Sequence, residues 1–227
     1  MPSFDIVREN KADKSSFRVQ SVMGMFDLQS EHSKEHFVGN LALPEEWNVG
    51  IIVGASGTGK TTIMRELFPE YVVENNEYTA GSVIDDMPKG KTVKEITQAF
   101  NSVGFSSPPS WLKPYSVLSN GEKMRVDLAN GILSNRDIIV FDEFTSVVNR
   151  EVAKIGSYAI QKAIRKQNKK FIAVGCHYDI IEWLEPDWIF CTDDMSFTIS
   201  KKKDLKSMFQ YTNVIGHCGK CLENITI

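Results

Sequence analysis

The stretch VGIIVGASGTGKTT at residues 49–62 decides the fold of this chain. Its first five residues form a compact apolar run, which is typical of a buried central strand in a parallel sheet. Residues 54–61 then fit the pattern G-x-x-x-x-G-K-[ST]. Residues 61–68 are predicted to form a helix, which Pro69 stops. A strand, a glycine-rich loop and a helix in this order predict a phosphate-binding loop (P-loop, or Walker A motif).

The P-loop predicts a nucleoside triphosphate site. Its glycines allow backbone N–H groups to turn inward on phosphate oxygens, and the N-terminus of the following helix adds favourable partial charge. Lys60 is expected to reach the β- and γ-phosphates, and the Thr61 hydroxyl to bind Mg²⁺. The alternative is a glycine-rich turn with an incidental lysine. The candidate ATP-binding residues of the loop are Gly54, Ser56, Gly57, Thr58, Gly59, Lys60, Thr61 and Thr62.

Two further apolar strands are predicted to end in polar side chains. Residues 138–141 lead into Asp142 and Glu143, and residues 171–176 lead into His177. Parallel α/β sheets bind ligands at the carboxyl ends of their strands, so these side chains are expected beside the P-loop. Asp142 is the predicted Mg²⁺ ligand, directly or through water. Glu143 is predicted to orient and deprotonate the attacking water. The alternatives are strands that simply end in solvent, and a structural histidine.

The stretch VLSNGEKMR at residues 117–125 predicts the start of a helix. Ser119 and Glu122 have the spacing of a capping box, and Met124 begins an apolar series at helical spacing that runs to about residue 133. A helix N-terminus can also bind an anion. The stretch is therefore either a capped helix start alone or a phosphate site as well.

The remaining pattern alternates strands and helices, which indicates an α/β architecture with a mainly parallel sheet. A polar stretch is expected at residues 30–36. Strands are predicted at residues 4–7, 17–22, 38–43 and 188–191, a terminal hairpin strand at 195–199, and helices at 92–103, 152–165 and 180–184.

Composition narrows the class of protein but not its partner. The 227 residues are 42% hydrophobic and 24% charged with a net charge of −3, as in an ordinary globular protein. The lysines at 201–203 form a short basic patch, more typical of a solvated turn than of a nucleic-acid surface. No apolar run approaches the roughly 18–20 residues that span a bilayer, and the charged N-terminus argues against export. We therefore expect a cytoplasmic protein without membrane insertion.

The P-loop, LSNGE, strand-Asp-Glu and strand-His motifs, in this order, resemble the ATP-binding cassette (ABC) ATPases over about residues 26–194. The resemblance implies an ATP hydrolase with ATP and Mg²⁺ as ligands. It implies an α/β P-loop NTPase fold of ABC type: a mainly parallel central sheet, an N-terminal antiparallel β subdomain and a shortened helical lobe. A single domain 1–227 is then expected, with the ATP-binding core at 1–80 and 134–200, the lobe at 81–133 and a tail at 201–227.

The family resemblance also implies roles for individual residues. Two such domains pair head-to-tail, so an ATP-dependent homodimer is expected, with ATP between one P-loop and the partner's signature motif. Ser119 and Gly121 would contact the γ-phosphate, Glu143 would be the catalytic base and His177 the switch histidine. The loop 146–149 would cross the interface. Phe26 is the candidate for the aromatic side chain that stacks on adenine. The signature residues are Ser119, Asn120, Gly121 and Glu122.

Several positions depart from the family pattern. The usual LSGGQ reads LSNGE at residues 118–122, and Asn149 replaces the aspartate of the interface loop. No Q-loop glutamine is evident at residues 82–86, where Asp85 or Asp86 is nearest to the expected position. The segment from there to the signature is shorter than in most transporter subunits, which weakens a transporter interpretation.

The amino-acid sequences of residues 43–62, 103–122 and 175–190 resemble those of a soluble group of ABC ATPases. Members of that group accompany predicted GNAT-type acetyltransferase domains in phages and mobile elements. This resemblance implies a separate effector chain, an acetyltransferase that acts on nucleic acid. Three alternatives stay open: a subunit of a membrane transporter with a permease partner, a DNA- or RNA-associated ATPase, and an ATP-binding regulator without turnover, against which Glu143 argues.

The C-terminal sequence HCGKC at residues 217–221 contains a C-x-x-C pair, the turn used in half of many zinc sites. Cys218 and Cys221 are the candidate Zn²⁺ ligands, with His217 as a third and either Cys191 or the tail of a second chain as a fourth. A tail without metal and a redox pair are the alternatives.

Overall fold

A five-stranded sheet forms the centre of the chain in a computed structural model that describes residues 3–10, 15–27, 33–71 and 77–200. The strand order is β4-β5-β3-β6-β7, where only β7 runs antiparallel to its neighbour. A separate two-stranded antiparallel ribbon is made by β1 and β2. The strands are β1 (Ser3–Asn10), β2 (Ser33–Asn40), β3 (Val49–Val53), β4 (Ile138–Phe141), β5 (Lys170–Gly175), β6 (Trp188–Cys191) and β7 (Ser196–Ile199).

The register of the central strands brings their carboxyl ends to one edge. Val53 at the end of β3 pairs with Gly175 of β5 and with Cys191 of β6. On the other side of β5, Phe141 at the end of β4 pairs with Ala173. The segments that follow these four strands therefore leave the sheet side by side.

Seven α-helices and one 3₁₀ turn connect the described strands. They are α1 (Phe17–Met25), α2 (Lys60–Leu67), α3 (Val93–Ser102), α4 (Pro108–Trp111), the 3₁₀ turn Tyr115–Val117, α5 (Asn120–Leu133), α6 (Arg150–Gln167) and α7 (Ile180–Leu184). Within the described ranges, no helix is both long and apolar enough to cross a bilayer.

Apolar side chains are buried on both faces of the sheet, because successive residues of a strand point to opposite faces. Ile51 belongs to a cluster that includes residues of α3, α5 and α6, whereas Ile52 belongs to a cluster with α2 and the β1–β2 ribbon. All five residues of β3 are buried. This double burial explains why β3 reads as an unbroken apolar run.

Two tryptophans fill the face beneath the P-loop strand. Trp188 is fully buried, and its ring lies 5.4 Å from that of Trp47 at an interplanar angle of 75°. A Cβ atom at Gly50 would come within 2.0 Å of the Trp188 ring. Glycine at this position therefore allows the indole to lie directly against the backbone of β3.

The predicted fold is confirmed, with one wrong element. Residues 17–22 were expected to be a strand, but they lie in α1, because β1 pairs along its length with β2 instead. A short stretch such as FRVQSV fits both a strand and a helix period. The predicted strand 38–43 is offset, because β2 runs from Ser33 to Asn40 and includes residues 33–36 of the predicted polar stretch. The other predicted strands and helices are present, with small differences at their ends.

Candidate functional site

The P-loop lies between β3 and α2 and has the backbone shape that its glycines permit. Gly57 and Gly59 have φ angles of 87° and 84°, in the left-handed region where glycine carries no steric cost. Gly59 is the residue that precedes the first turn of α2. At Gly54, a Cβ atom would come within 2.1 Å of the Thr192 Oγ1 atom. The loop thus depends on glycine for its turns and for its close approach to β6.

The lysine of the P-loop is folded back over the loop. Lys60 Nζ donates a hydrogen bond of 2.6 Å to the carbonyl oxygen of Ala55, and the Thr58 hydroxyl donates to the same oxygen at 2.9 Å. The ammonium group is therefore held above the backbone that a phosphate would approach. Ser56 is exposed and Thr62 partly buried.

The two predicted Mg²⁺ ligands are in direct contact. Thr61 Oγ1 donates to Asp142 Oδ2 at 2.9 Å, which brings the start of α2 to the end of β4. A hydroxyl and a carboxylate are hard oxygen donors, and Mg²⁺ is usually bound by one or two such groups together with water and phosphate oxygens. The residues fit a magnesium ion that arrives with a nucleotide.

Glu143 is presented on a strained turn. Its φ angle is 53°, in the left-handed region that non-glycine residues rarely adopt. Its N–H donates to Asp142 Oδ1 at 2.9 Å, and the next N–H, of Phe144, donates to the Val174 carbonyl at 2.8 Å on β5. The Glu143 side chain is exposed. The turn therefore directs this carboxylate into solvent beside the predicted Mg²⁺ ligands.

His177 follows β5 at the same edge, and its neighbours in sequence are tied to other elements. The Tyr178 hydroxyl donates to Asp193, and Arg150 Nε donates to Asp179 Oδ2 at 2.8 Å. Arg150 also lies over the Trp183 ring. These contacts fix the loop that carries His177 between the start of α6 and the end of β6.

Thr192 and Asp193, after β6, complete the edge and were not predicted as site residues. Asp193 Oδ1 accepts a 2.8 Å hydrogen bond from the Ala55 N–H of the P-loop. Thr192 Oγ1 lies 2.5 Å from Thr58 Oγ1. Their position after the fourth parallel strand was the available signal, because that strand was expected to end at the same edge.

The signature stretch forms the predicted capping box at the start of α5. Ser119 donates to Glu122 Oε2 from its backbone N–H at 3.0 Å and from its hydroxyl at 2.8 Å. In return, the Glu122 N–H donates to Ser119 Oγ at 3.4 Å. The predicted apolar face of the helix is confirmed, since its members Met124, Leu128 and Ile132 are buried.

The predicted signature residues lie against the loop 146–149 of their own chain, which the family resemblance predicts to cross a dimer interface. Asn120 Nδ2 donates to the Val147 carbonyl at 3.4 Å, and a Cβ atom at Gly121 would come within 3.0 Å of Val152 Cγ1 at the start of α6. Asn149 caps α6 by accepting from the Val152 N–H at 2.9 Å. Asparagine caps helices about as well as aspartate does. Asn149 can therefore replace the family's aspartate without loss of the cap on α6.

The carboxylates at the expected Q-loop position make local hydrogen bonds. Asp86 Oδ1 accepts from the backbone N–H groups of Thr79 and Ala80 at 3.0 and 2.9 Å. The Ser82 hydroxyl donates to Asp85 Oδ2 at 2.5 Å. Both aspartates therefore shape the turn in which they lie.

Phe26 directly follows α1 and is 70% exposed. The exposure leaves its ring available for stacking. The candidate Zn²⁺ ligands Cys218 and Cys221, with His217, lie outside the described residues. Among the residues that are described, no group of three or more His, Cys, Asp or Glu side chains is arranged to hold a metal ion.

Comparison with known proteins finds sequence similarity to ABC proteins over part of the chain. The family model described as ABC transporter matches residues 65–146, which include the signature stretch and the end of β4. The mRNA export factor elf1 of Schizosaccharomyces pombe is 30% identical over 195 residues, which is 71% of this chain and 18% of that protein. The ribosome protection protein VmlR of Bacillus subtilis is 23% identical over 163 residues, which is 63% of this chain and 29% of that protein. The chain thus spans less than a third of the length of either relative.

Solved structures show the same fold. The dimeric structure of MJ0796, a bacterial ABC transporter cassette, matches with a TM-score of 0.57 at 14% identity, over 83% of this chain and 92% of that chain. At this level of identity the likeness concerns the fold.

Proposed function

We propose that this chain, whose fold is that of the ABC-type ATPases, binds ATP with Mg²⁺ and hydrolyses it to ADP and phosphate. The observation that carries the proposal is the contact between Thr61 and Asp142 at one sheet edge, beside Lys60, Glu143 and His177. The match to the ABC transporter family, whose members hydrolyse ATP, supports the same activity.

Each group at the edge has a distinct task in this reaction. The N–H groups of the P-loop and Lys60 bind the β- and γ-phosphates. Thr61 and Asp142 would hold Mg²⁺, which would neutralise charge on the phosphate oxygens. Glu143 accepts a proton from the water that attacks the γ-phosphorus, and His177 donates a hydrogen bond to a γ-phosphate oxygen.

We further propose that two copies close head-to-tail on two ATP molecules. In each copy the signature residues lie against the loop 146–149 and the start of α6. In the proposed dimer the second copy would bring its P-loop to them. The MJ0796 cassette was solved as a dimer, which supports this arrangement. Phe26 is proposed to stack on adenine, since its ring is exposed at the end of α1.

The activity is tested with Glu143→Gln, which keeps the size of the side chain and removes the base. We expect wild-type protein to release phosphate from ATP only with Mg²⁺, and Glu143→Gln to retain ATP and form dimers visible by light scattering. Absence of phosphate release from both proteins, without ATP-dependent dimers, would overturn the proposal.

The partner of the proposed ATPase is a separate question, on which the two named relatives and the family model point to different candidates. Those reported above are named for mRNA export and ribosome protection, which favours the RNA-associated alternative. The family description favours a permease partner, and an acetyltransferase partner rests on the sequence resemblance alone. We expect ribosomes or RNA to stimulate ATP turnover. An unchanged rate, together with recovery of an integral membrane protein on the immobilised chain, would instead assign it to a transporter.

A further inference from the structure

The signature stretch carries Glu122 where the family pattern has glutamine. Its carboxylate accepts hydrogen bonds from Ser119, the residue that is expected to bind phosphate. One oxygen, Glu122 Oε2, accepts from both the Ser119 hydroxyl at 2.8 Å and the Ser119 N–H at 3.0 Å. A glutamine in the same place could also cap the helix. The difference is therefore the negative charge at the start of α5, where the proposed function puts the partner's γ-phosphate.

We propose that Glu122 competes with the partner's γ-phosphate for the signature motif, so that closure of the ATP dimer requires the Glu122 carboxylate to leave Ser119. This inference rests on the proposed head-to-tail dimer. The ligand that displaces Glu122 is the terminal phosphate of ATP held in the P-loop of the second copy. The positive end of α5, which attracts an anion, is meanwhile satisfied from within the chain.

The charges around Glu122 support an ionised competitor. The hydrogen bond from the Ser119 backbone lowers the pKa of Glu122 most, followed by a hydrogen bond from Ser110 and, more weakly, by Lys113. Burial lowers the pKa of Arg125, one turn further along α5, and the charge of Glu122 opposes that shift. Removal of the carboxylate would leave Lys113 and Arg125 without this counter-charge, which favours a phosphate at the same place.

The chain contains a matched control for the substitution. At the start of α3, Thr92 donates to Glu95 Oε2 from its N–H at 2.8 Å and its hydroxyl at 2.7 Å, and the Glu95 N–H donates back at 3.3 Å. This capping box has the same geometry as that of Ser119 and Glu122. It begins a helix to which the family resemblance assigns no contact with ATP.

The test compares three proteins that all carry Glu143→Gln to prevent turnover: this variant alone, with Glu122→Gln, and with Glu95→Gln. ATP binding is followed with a fluorescent ATP analogue, and the dimer dissociation constant with ATP and Mg²⁺ by analytical ultracentrifugation. We expect Glu122→Gln to tighten the dimer by on the order of tenfold or more, since it removes like-charge repulsion at both ATP sites of the interface. We expect Glu95→Gln to leave the constant unchanged.

The outcomes separate this inference from the proposed function. If Glu143→Gln alone dimerises with ATP and Glu122→Gln leaves dimerisation equal or weaker, Glu122 does not compete with the γ-phosphate. The proposed ATPase function would be unaffected by that result. Equal tightening by both glutamine variants would also overturn it, since the cause would be the loss of a cap rather than the place of the charge. No binding of the ATP analogue by any of the three proteins would overturn the proposed function together with this inference.

Discussion

At the scale of single residues, the site depends on a carboxylate that the sequence motifs do not mark. Asp193 bonds the Ala55 N–H of the P-loop and the Tyr178 hydroxyl, next to His177. It joins the loop proposed to bind phosphate to the loop that carries His177. We regard it as a positioning residue, because it acts through these two loops.

Substitution of Asp193→Asn is expected to raise the KM for ATP on the order of tenfold, because a hydrogen bond to a charged group is worth roughly 1.5–3 kcal/mol. Steady-state kinetics would show this change. Asp194→Asn is the matched control, since Asp194 accepts hydrogen bonds from Ser196 in the turn before β7. A similar KM for both variants would mean that Asp193 does not position the P-loop.

The residues of the site could be predicted from sequence to different degrees. The P-loop, Asp142 and Glu143 follow apolar runs directly, so local pattern places them at strand ends. The role of Asp193 depends on a contact with Ala55 across 138 residues of sequence. Such a contact is set by the order of strands in the sheet, which a local pattern does not contain.

At the scale of elements, the two capping boxes predict how stability changes with pH. Hydrogen bonds from the backbone of Thr92 and Ser119 are the main cause that lowers the pKa values of Glu95 and Glu122 below their ordinary 4.5. A carboxylate with a lowered folded-state pKa adds stability above its unfolded-state pKa, and that stability is lost as the pH falls through the folded-state value.

We therefore expect the double variant Glu95→Gln/Glu122→Gln to be less stable than wild type at pH 7. The difference should shrink as the pH falls below 4.5, where the wild-type carboxylates become protonated. Urea unfolding at several pH values would measure it. A difference that stays constant down to acid pH would show that charge does not contribute to these caps.

A polar cluster joins the segment before α3 to the signature helix. The Tyr78 and Tyr115 hydroxyls donate to the two oxygens of Asp127 on α5 at 2.7 and 2.8 Å, and their rings stack at 4.1 Å. Burial, and then the charge of Asp127, raises the pKa of Tyr115. This cluster lies outside every predicted motif, because its three members are brought together by the packing of the lobe.

Asp127→Asn is expected to destabilise the fold by about 1–3 kcal/mol, since it weakens two partly buried hydrogen bonds at once. The effects of Tyr78→Phe and Tyr115→Phe should be smaller in the Asp127→Asn background than in wild type, because they share that partner. Denaturant unfolding of the three single variants, the two double variants and wild type would measure the coupling. Strictly additive changes would argue against a shared network.

The element that sequence reasoning predicted wrongly is α1. Its apolar residues Phe17, Met25 and, just after it, Phe26 are exposed, and none of its residues is buried. Without a buried face, the helix has no strong hydrophobic period for a sequence to display. Burial of one face imposes a hydrophobic period on the sequence of an element, which makes the element predictable. Because α1 lacks a buried face, its sequence does not distinguish a helix from a strand.

At the scale of the whole molecule, the central sheet lies between two apolar clusters, and each cluster packs a different helix of the proposed site against the sheet. The cluster that contains Ile51 holds the signature helix, and the cluster that contains Ile52 holds the helix of the P-loop. Since both residues lie on β3, the two faces are expected to unfold together.

Ile51→Ala and Ile52→Ala are each expected to cost on the order of 2–5 kcal/mol, because each opens a cavity in a fully buried position. Both should lower a single cooperative unfolding transition, followed by far-ultraviolet circular dichroism and by hydrogen exchange. Two separated transitions in either variant would show that the lobe and the core are independent folding units.

The packing of the Trp47 and Trp188 rings against β3 has a spectroscopic consequence. The Trp47 and Trp188 rings lie 5.4 Å apart with planes inclined at 75°, so their electronic transitions should couple as an exciton pair. The folded chain would then show paired bands of opposite sign in its dichroism spectrum. Because Trp188 lies against the strand that leads into the P-loop, the chain carries a label-free optical marker of order at its phosphate-binding loop.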